Sequence, residues 1–197
     1  MRKACLFMIS ARNHLLKECL TYVDSNYNKK YNYPILIFYH NHLSDTYGNE
    51  YYREDIRRIN SKTDIRFHPI EAKIPEHLQE KDMFWNLPNA YAANFGRQRL
   101  GYLHANHFWN NFMNYSELDE FDYMMRIDDD SWFKKEIPFD FFEELDNRNG
   151  YFGTGFTWNH FSSGHMDTRY GLFEWIKNYV EKYNIRYAVK TYVANNI

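Results

Sequence analysis

The sequence predicts an α/β fold, a mostly parallel central sheet flanked by helices, on three observations. The chain opens strand, helix, strand: a continuous apolar run Cys5–Ile9, apolar residues at helical spacing (Leu15, Leu16, Cys19, Leu20, Val23), and a second apolar run Ile35–Tyr39. A later apolar segment, Phe121–Ile127, runs straight into three consecutive aspartates, as a buried strand does where an open sheet empties into its ligand crevice. Finally, 197 residues with 5 prolines and 8 glycines, and no repeat, low-complexity block or Gly/Ser linker, describe a single domain spanning the whole chain.

In order along the chain, Ser10-Ala11-Arg12-Asn13 forms a turn suited to cap a helix over His14–Tyr27. Pro34 opens the second strand, Tyr51–Ile59 reads as a charged surface helix, and Ile65–Ile70 alternates like a strand near an edge. From Asn89 to Met113 no proline occurs, and Tyr102, Ala105, Phe108, Trp109 and Phe112 make the stripe of a long helix packed on the sheet. Pro138 is placed to open a helix over Phe139–Leu145. Tyr151–Trp158 reads as a strand and Thr168–Lys182 as a closing amphipathic helix. Trp85 and Trp132 read as packing residues.

Composition narrows the function classes. A net charge of −2 attracts no polyanion, so nucleic acid is not an expected partner. Two cysteines, Cys5 and Cys19, make neither a disulfide framework nor a zinc site, and a reducing compartment fits them best. No apolar run is long enough for a signal sequence or a membrane span, so the expected localisation is cytoplasmic. Aromatic residues reach 20%; tyrosine and tryptophan in such number suit a cleft that stacks sugars or bases, although the abundance of Tyr, Asn and Lys also follows from an AT-rich coding sequence.

Asp128-Asp129-Asp130 is the sharpest chemical feature. With strand alternation, Asp128 and Asp130 face one way and can share a divalent cation, Mn²⁺ or Mg²⁺, which would neutralise a diphosphate leaving group. Without a cation or proton between them the carboxylates repel. Arg126 serves equally as their salt-bridge partner, Arg12 equally as a surface arginine after a strand, and Tyr102 as a core residue of its helix.

Tyr123-Met124-Met125-Arg126-Ile127-Asp128-Asp129-Asp130-Ser131-Trp132-Phe133 resembles the strand and metal motif of the fungal α-1,2-mannosyltransferase family (glycosyltransferase family fifteen), enzymes of the A-type (GT-A) glycosyltransferase fold. Three further segments agree in order: Ser10–Asn13 followed by a helix and Tyr31–Phe38, then Gly101–Phe108, then Tyr151–Thr157. The resemblance implies a metal-dependent, retaining transfer of a sugar from a GDP- or UDP-sugar to a saccharide or glycoprotein acceptor. It implies Asp130 as the main metal ligand and catalytic group, and Asp128 as its helper. Ser10, Arg12, Tyr102, His104, Arg126, Asp128 and Asp129 would surround the nucleotide sugar. Asp129 stands where the family has proline, and Leu103 and His107 where it has arginines.

The family continues beyond the equivalent of residue 197, into a catalytic carboxylate and a metal-binding histidine. The chain is therefore either one domain of a larger polypeptide, or a shorter enzyme in which His160 or His165 supplies the imidazole. Trp158, His160 and His165 lie in a segment equipped to hold an acceptor: an aromatic face, imidazoles for hydroxyls, and Gly164 for mobility. An inverting enzyme would instead need a base at His160, His165 or Asp167. The competing class is a non-catalytic carbohydrate-binding module with a structural cation. Phosphoester hydrolysis would call for further carboxylates at other strand ends, and the sequence places none there.

Overall fold

The computed structural model describes residues 3–71 and 105–150, together with Gly153, Asn178 and residues 181–183. The chain packs as two compact units, Met1–Gly150 and Tyr151–Ile197. In the second, Asn178, Glu181 and Lys182 are helical, within the span expected for the closing helix. The strand expected over Tyr151–Trp158 and the first part of the long helix, residues 89–104, lie outside the described residues.

Among the described residues of the first unit, four parallel strands form one sheet in the order β3-β2-β1-β4: β1 (Ala4–Ile9), β2 (Ile35–His40), β3 (Ile65–Ile70) and β4 (Tyr123–Arg126). This is the parallel α/β sheet expected from the opening strand, helix, strand pattern. The two central strands read as unbroken apolar runs because both faces are covered. Leu6, Met8, Ile35, Ile37 and Tyr39 meet α1 (Asn13–Val23) through Leu16, Cys19, Leu20 and Val23. On the other face Cys5, Phe7, Leu36 and Phe38 meet Phe108 of the helix over residues 105–111, with Trp109 and Phe112 packed beside it. β3 and β4 are the edge strands among the described residues, and the edge position of β3 tolerates its exposed Pro69.

Three boundaries differ from expectation, each for a local reason. The α1 helix ends at Val23, but the chain keeps winding through a wide turn, Asp24–Asn28, and a short α2 (Lys29–Tyr31). Asn32, at φ 55°, stops it in the left-handed conformation that asparagine tolerates. A side-chain cap was expected from the Ser10–Asn13 turn; Arg12 stands at the N-cap without one, because a guanidinium has no acceptor to offer, and the Leu15 N–H bonds the Arg12 carbonyl at 2.9 Å. Pro138 does not open the next helix. That helix, Phe141–Asn147, starts on Asp140, whose carboxylate accepts the Phe142 N–H at 2.9 Å.

Asp140 also accepts from the hydroxyls of Tyr27, at 3.2 Å, and Tyr33, rings that pack tilted against Phe141 and edge-on against Phe142 respectively. Asp140→Ala removes a cap and strands two phenolic donors, so it is expected to cost about 2–3 kcal/mol in denaturant unfolding. A loss under about 1 kcal/mol would mean that the helix start and the tyrosines are held by packing alone.

Candidate functional site

The strand order reverses at β1. Chain leaving β1 goes to β2 on one side, and β4 comes back to the other, with Ala4 opposite Tyr123 and Phe7 opposite Arg126. A crevice at the carboxyl ends of two such neighbouring strands is where open α/β sheets hold ligands. Here the two ends carry Ser10-Ala11-Arg12 and Asp128-Asp129-Asp130.

The strand expected to run into the aspartates ends earlier, at Arg126. Ile127 adds one bond, donating its N–H to the Phe7 carbonyl at 3.0 Å, and a turn closed by the Ser131 N–H on the Asp128 carbonyl (3.0 Å) then carries the three carboxylates. Strand alternation therefore does not set where they point. Their partners do.

Asp129 is buried at 3% exposure. Its Oδ2 accepts from Ser10 Oγ, Ala11 N and Arg12 N, each at 3.1 Å. Its Oδ1 accepts from Arg12 Nε at 3.0 Å and from a second nitrogen of the same guanidinium. The remaining nitrogen of Arg12 donates to Asp130 Oδ2 at 2.7 Å. Asp128 is gripped separately by Arg126, whose Nε and second nitrogen donate to its two oxygens at 3.0 and 3.3 Å. The Arg126 guanidinium lies 3.9 Å from the centre of the Trp109 ring, a stacked cation–π arrangement.

The mutual repulsion expected of an ionised triplet is thus met by two guanidinium groups. These pairings hold the Arg12 charge more tightly still, raising its pKa chiefly through the Asp129 bond. Arg12, Arg126, Asp128 and Asp130 all keep 41–51% of their side-chain surface in solvent, so both signs of charge are presented to a ligand. Neither cysteine offers a nucleophile: burial pushes the Cys5 and Cys19 thiols up to about 12. No group of three or more His, Cys, Asp or Glu side chains is placed to hold a metal among the described residues.

Six expected site residues, Ser10, Arg12, Arg126, Asp128, Asp129 and Asp130, therefore converge at one sheet end. Tyr102, His104, Trp158, His160 and His165 lie outside the described residues. Trp132, read as a packing residue, is 37% exposed in the irregular chain after the aspartate turn. The sequence reading missed Tyr47, whose hydroxyl lies 2.8 Å from Ser10 Oγ, and the stacking of Trp109 on Arg126. Trp109 was visible only as part of a helical stripe, and Tyr47 lies between the second strand and the Tyr51–Ile59 helix, where the sequence carried no pattern. No helix among the described residues is long and apolar enough to cross a membrane.

Among solved structures the chain is similar to the mannosyltransferase Ktr4p from S. cerevisiae in complex with GDP, with a TM-score of 0.60 and 16% identity over 75% of this chain and 38% of that one. It is also similar to core-mannan synthase A (CmsA/Ktr4) from Aspergillus fumigatus in its Mn/GDP form, with a TM-score of 0.57 and 18% identity over 76% of this chain and 40% of that one. The likeness establishes the fold, and the chain spans about two fifths of the length of either protein. No curated protein matches it in sequence. The family model described as glycolipid 2-alpha-mannosyltransferase matches residues 1–196. A match over nearly every residue, on a sheet shared with two mannosyltransferases, means that the chain belongs to the glycolipid 2-alpha-mannosyltransferase family.

Proposed function

We propose that this chain binds the donor of a glycosyltransferase reaction, moving a mannosyl or related sugar from a nucleotide-diphosphate sugar, GDP-mannose or a UDP-sugar, to a saccharide hydroxyl. The observation that carries the reading is the cluster at the reversal of strand order: two half-exposed arginines beside two half-exposed carboxylates, at the sheet end where open α/β folds bind nucleotides. The GDP in both mannosyltransferases of like fold supports a nucleotide donor.

The carboxylates suit a hard divalent cation such as Mn²⁺ or Mg²⁺. With two protein ligands, Asp128 and Asp130, the remaining positions would fall to diphosphate and water, the habit of Mg²⁺-type sites. The Mn/GDP form of core-mannan synthase A supports the same choice. Such a cation supplies charge neutralisation as the diphosphate leaves. Arg12 and Arg126 would add fixed positive charge beside it, held in place before the donor arrives, so that little reorganisation accompanies the reaction. Retention of configuration follows the family resemblance. On the sequence pattern, we assign the acceptor to Trp158 and His165 and a catalytic imidazole to His160, with nucleotide contacts added by Tyr102 and His104.

A calorimetric titration of the chain with GDP and UDP, with and without Mn²⁺, tests this reading, followed by a panel of GDP- and UDP-sugars assayed for Mn²⁺-dependent hydrolysis. Binding of one nucleotide in the presence of metal, with turnover of its sugar, is the expected result. A chain that binds saccharides and ignores both nucleotides would be a carbohydrate-binding module instead.

A further inference from the structure

Tyr47 ends α3 (Ser44–Tyr47), just after β2, and is 1% exposed. Its ring lies stacked on Tyr39, with centroids 5.1 Å apart and planes 18° apart, and meets Tyr52 edge-on at 5.6 Å. A phenylalanine would fill the same slot without the cost of burying a hydroxyl, so packing does not account for the oxygen. That oxygen lies 2.8 Å from Ser10 Oγ.

The direction of the bonds follows from what each group can give. Ser10 has one hydroxyl proton, and the Asp129 carboxylate, ion-paired to Arg12, can only accept, so Ser10 donates to Asp129 Oδ2 and must accept from Tyr47. Burial pushes the Tyr47 phenol up to about 12, which keeps it a donor. Ser10 is itself immobile: it is fully buried, and its N–H donates to the Phe38 carbonyl of β2 at 2.8 Å.

The result is a donor chain, Tyr47 to Ser10 to Asp129, that ends on a carboxylate which the Arg12 guanidinium meets as donor from the other side. At its far end Asp129 takes two nitrogens of the Arg12 guanidinium and leaves the third, the one on Asp130, at the crevice. We propose that Tyr47 is a positioning residue for the donor diphosphate, acting through Ser10 and Asp129 to fix the plane and reach of Arg12. This rests on the reading that Arg12 meets the donor.

The test uses the full chain, with GDP in the presence of Mn²⁺ as the probe. Tyr47→Phe keeps the stacked ring and deletes the first donor, so GDP affinity is expected to fall about five- to tenfold. Arg12→Lys keeps the charge but cannot hold two carboxylates in one plane, and in that background Tyr47→Phe should cost nothing more. A purely structural tyrosine would lower the unfolding midpoint and leave the affinity of the folded protein unchanged. It would also leave unchanged the NMR signal of the Arg12 Nε–H, which we expect to be sharp and slowly exchanging in the wild type and broadened in Tyr47→Phe. An unchanged affinity or an unchanged Arg12 signal overturns the proposal. If the phenylalanine variant does not fold, Ser10→Ala cuts the same chain and carries the same expectations and the same refutations. Wild type that binds no nucleoside diphosphate overturns the donor reading and this inference with it; wild type weakened by Arg12→Lys but not by Tyr47→Phe overturns this inference alone.

Discussion

Replacing Asp129 with alanine is expected to destabilise the protein by about 2–4 kcal/mol, the cost of leaving several donors without their acceptor, since the Arg12 charge itself is half exposed and can turn to water. The loss is not a single bond. Ser10 Oγ, the amides of Ala11 and Arg12, and two nitrogens of the Arg12 guanidinium all lose their acceptor together. Those donors sit where β1 turns into α1, so the damage spreads to the junction of a central strand and the helix packed on it. Denaturant unfolding measures the effect; a loss under about 1 kcal/mol would show that the carboxylate is dispensable and that packing holds the β1–β4 junction.

Asp130→Ala is the complementary case. This carboxylate is 41% exposed and bonded to one nitrogen of Arg12, which remains held by Asp129, so stability should change by less than about 1 kcal/mol. Mn²⁺-dependent turnover of the donor sugar should nevertheless fall by about 10²–10³-fold or more, the scale on which a preorganised electrostatic group acts. Full turnover in a folded Asp130→Ala protein would remove Asp130 from the reaction. Neighbouring aspartates would thus divide the labour: Asp129 carries the fold, and Asp130 the proposed chemistry.

That division was only half visible in the sequence. The apolar runs of β1 and β2, the helical face of α1 and the edge character of β3 were legible because each depends on burial of its own residues. The aspartate triplet was legible as a cluster, and its place at a sheet end followed from the strand before it. Which of the three turns inward was not legible. Asp129 is inward because the amides of Ala11 and Arg12 and the Ser10 hydroxyl lie beside it, and that adjacency comes from β4 pairing with β1 across more than a hundred residues. Tyr47 was illegible for the same reason. Its hydroxyl has meaning only once the end of β2 is brought over the end of β1, and in sequence it is one of 18 tyrosines.

The strand order also sets a timetable for assembly. β1, β2 and β3 are contiguous with their connecting helices in the first 70 residues, so they can pair as soon as they leave the ribosome. β4 cannot: Ser10 and Asp129 are 119 residues apart, and closing that loop is the slow, entropically costly step of a parallel sheet. Until it closes, β1 has one edge without a neighbour, and its backbone is an open template for another chain's strand. Docking of β4 covers that edge of β1 and brings Asp129 to Arg12 in the same event. The nascent protein thus acquires its protected edge and its charged pocket together.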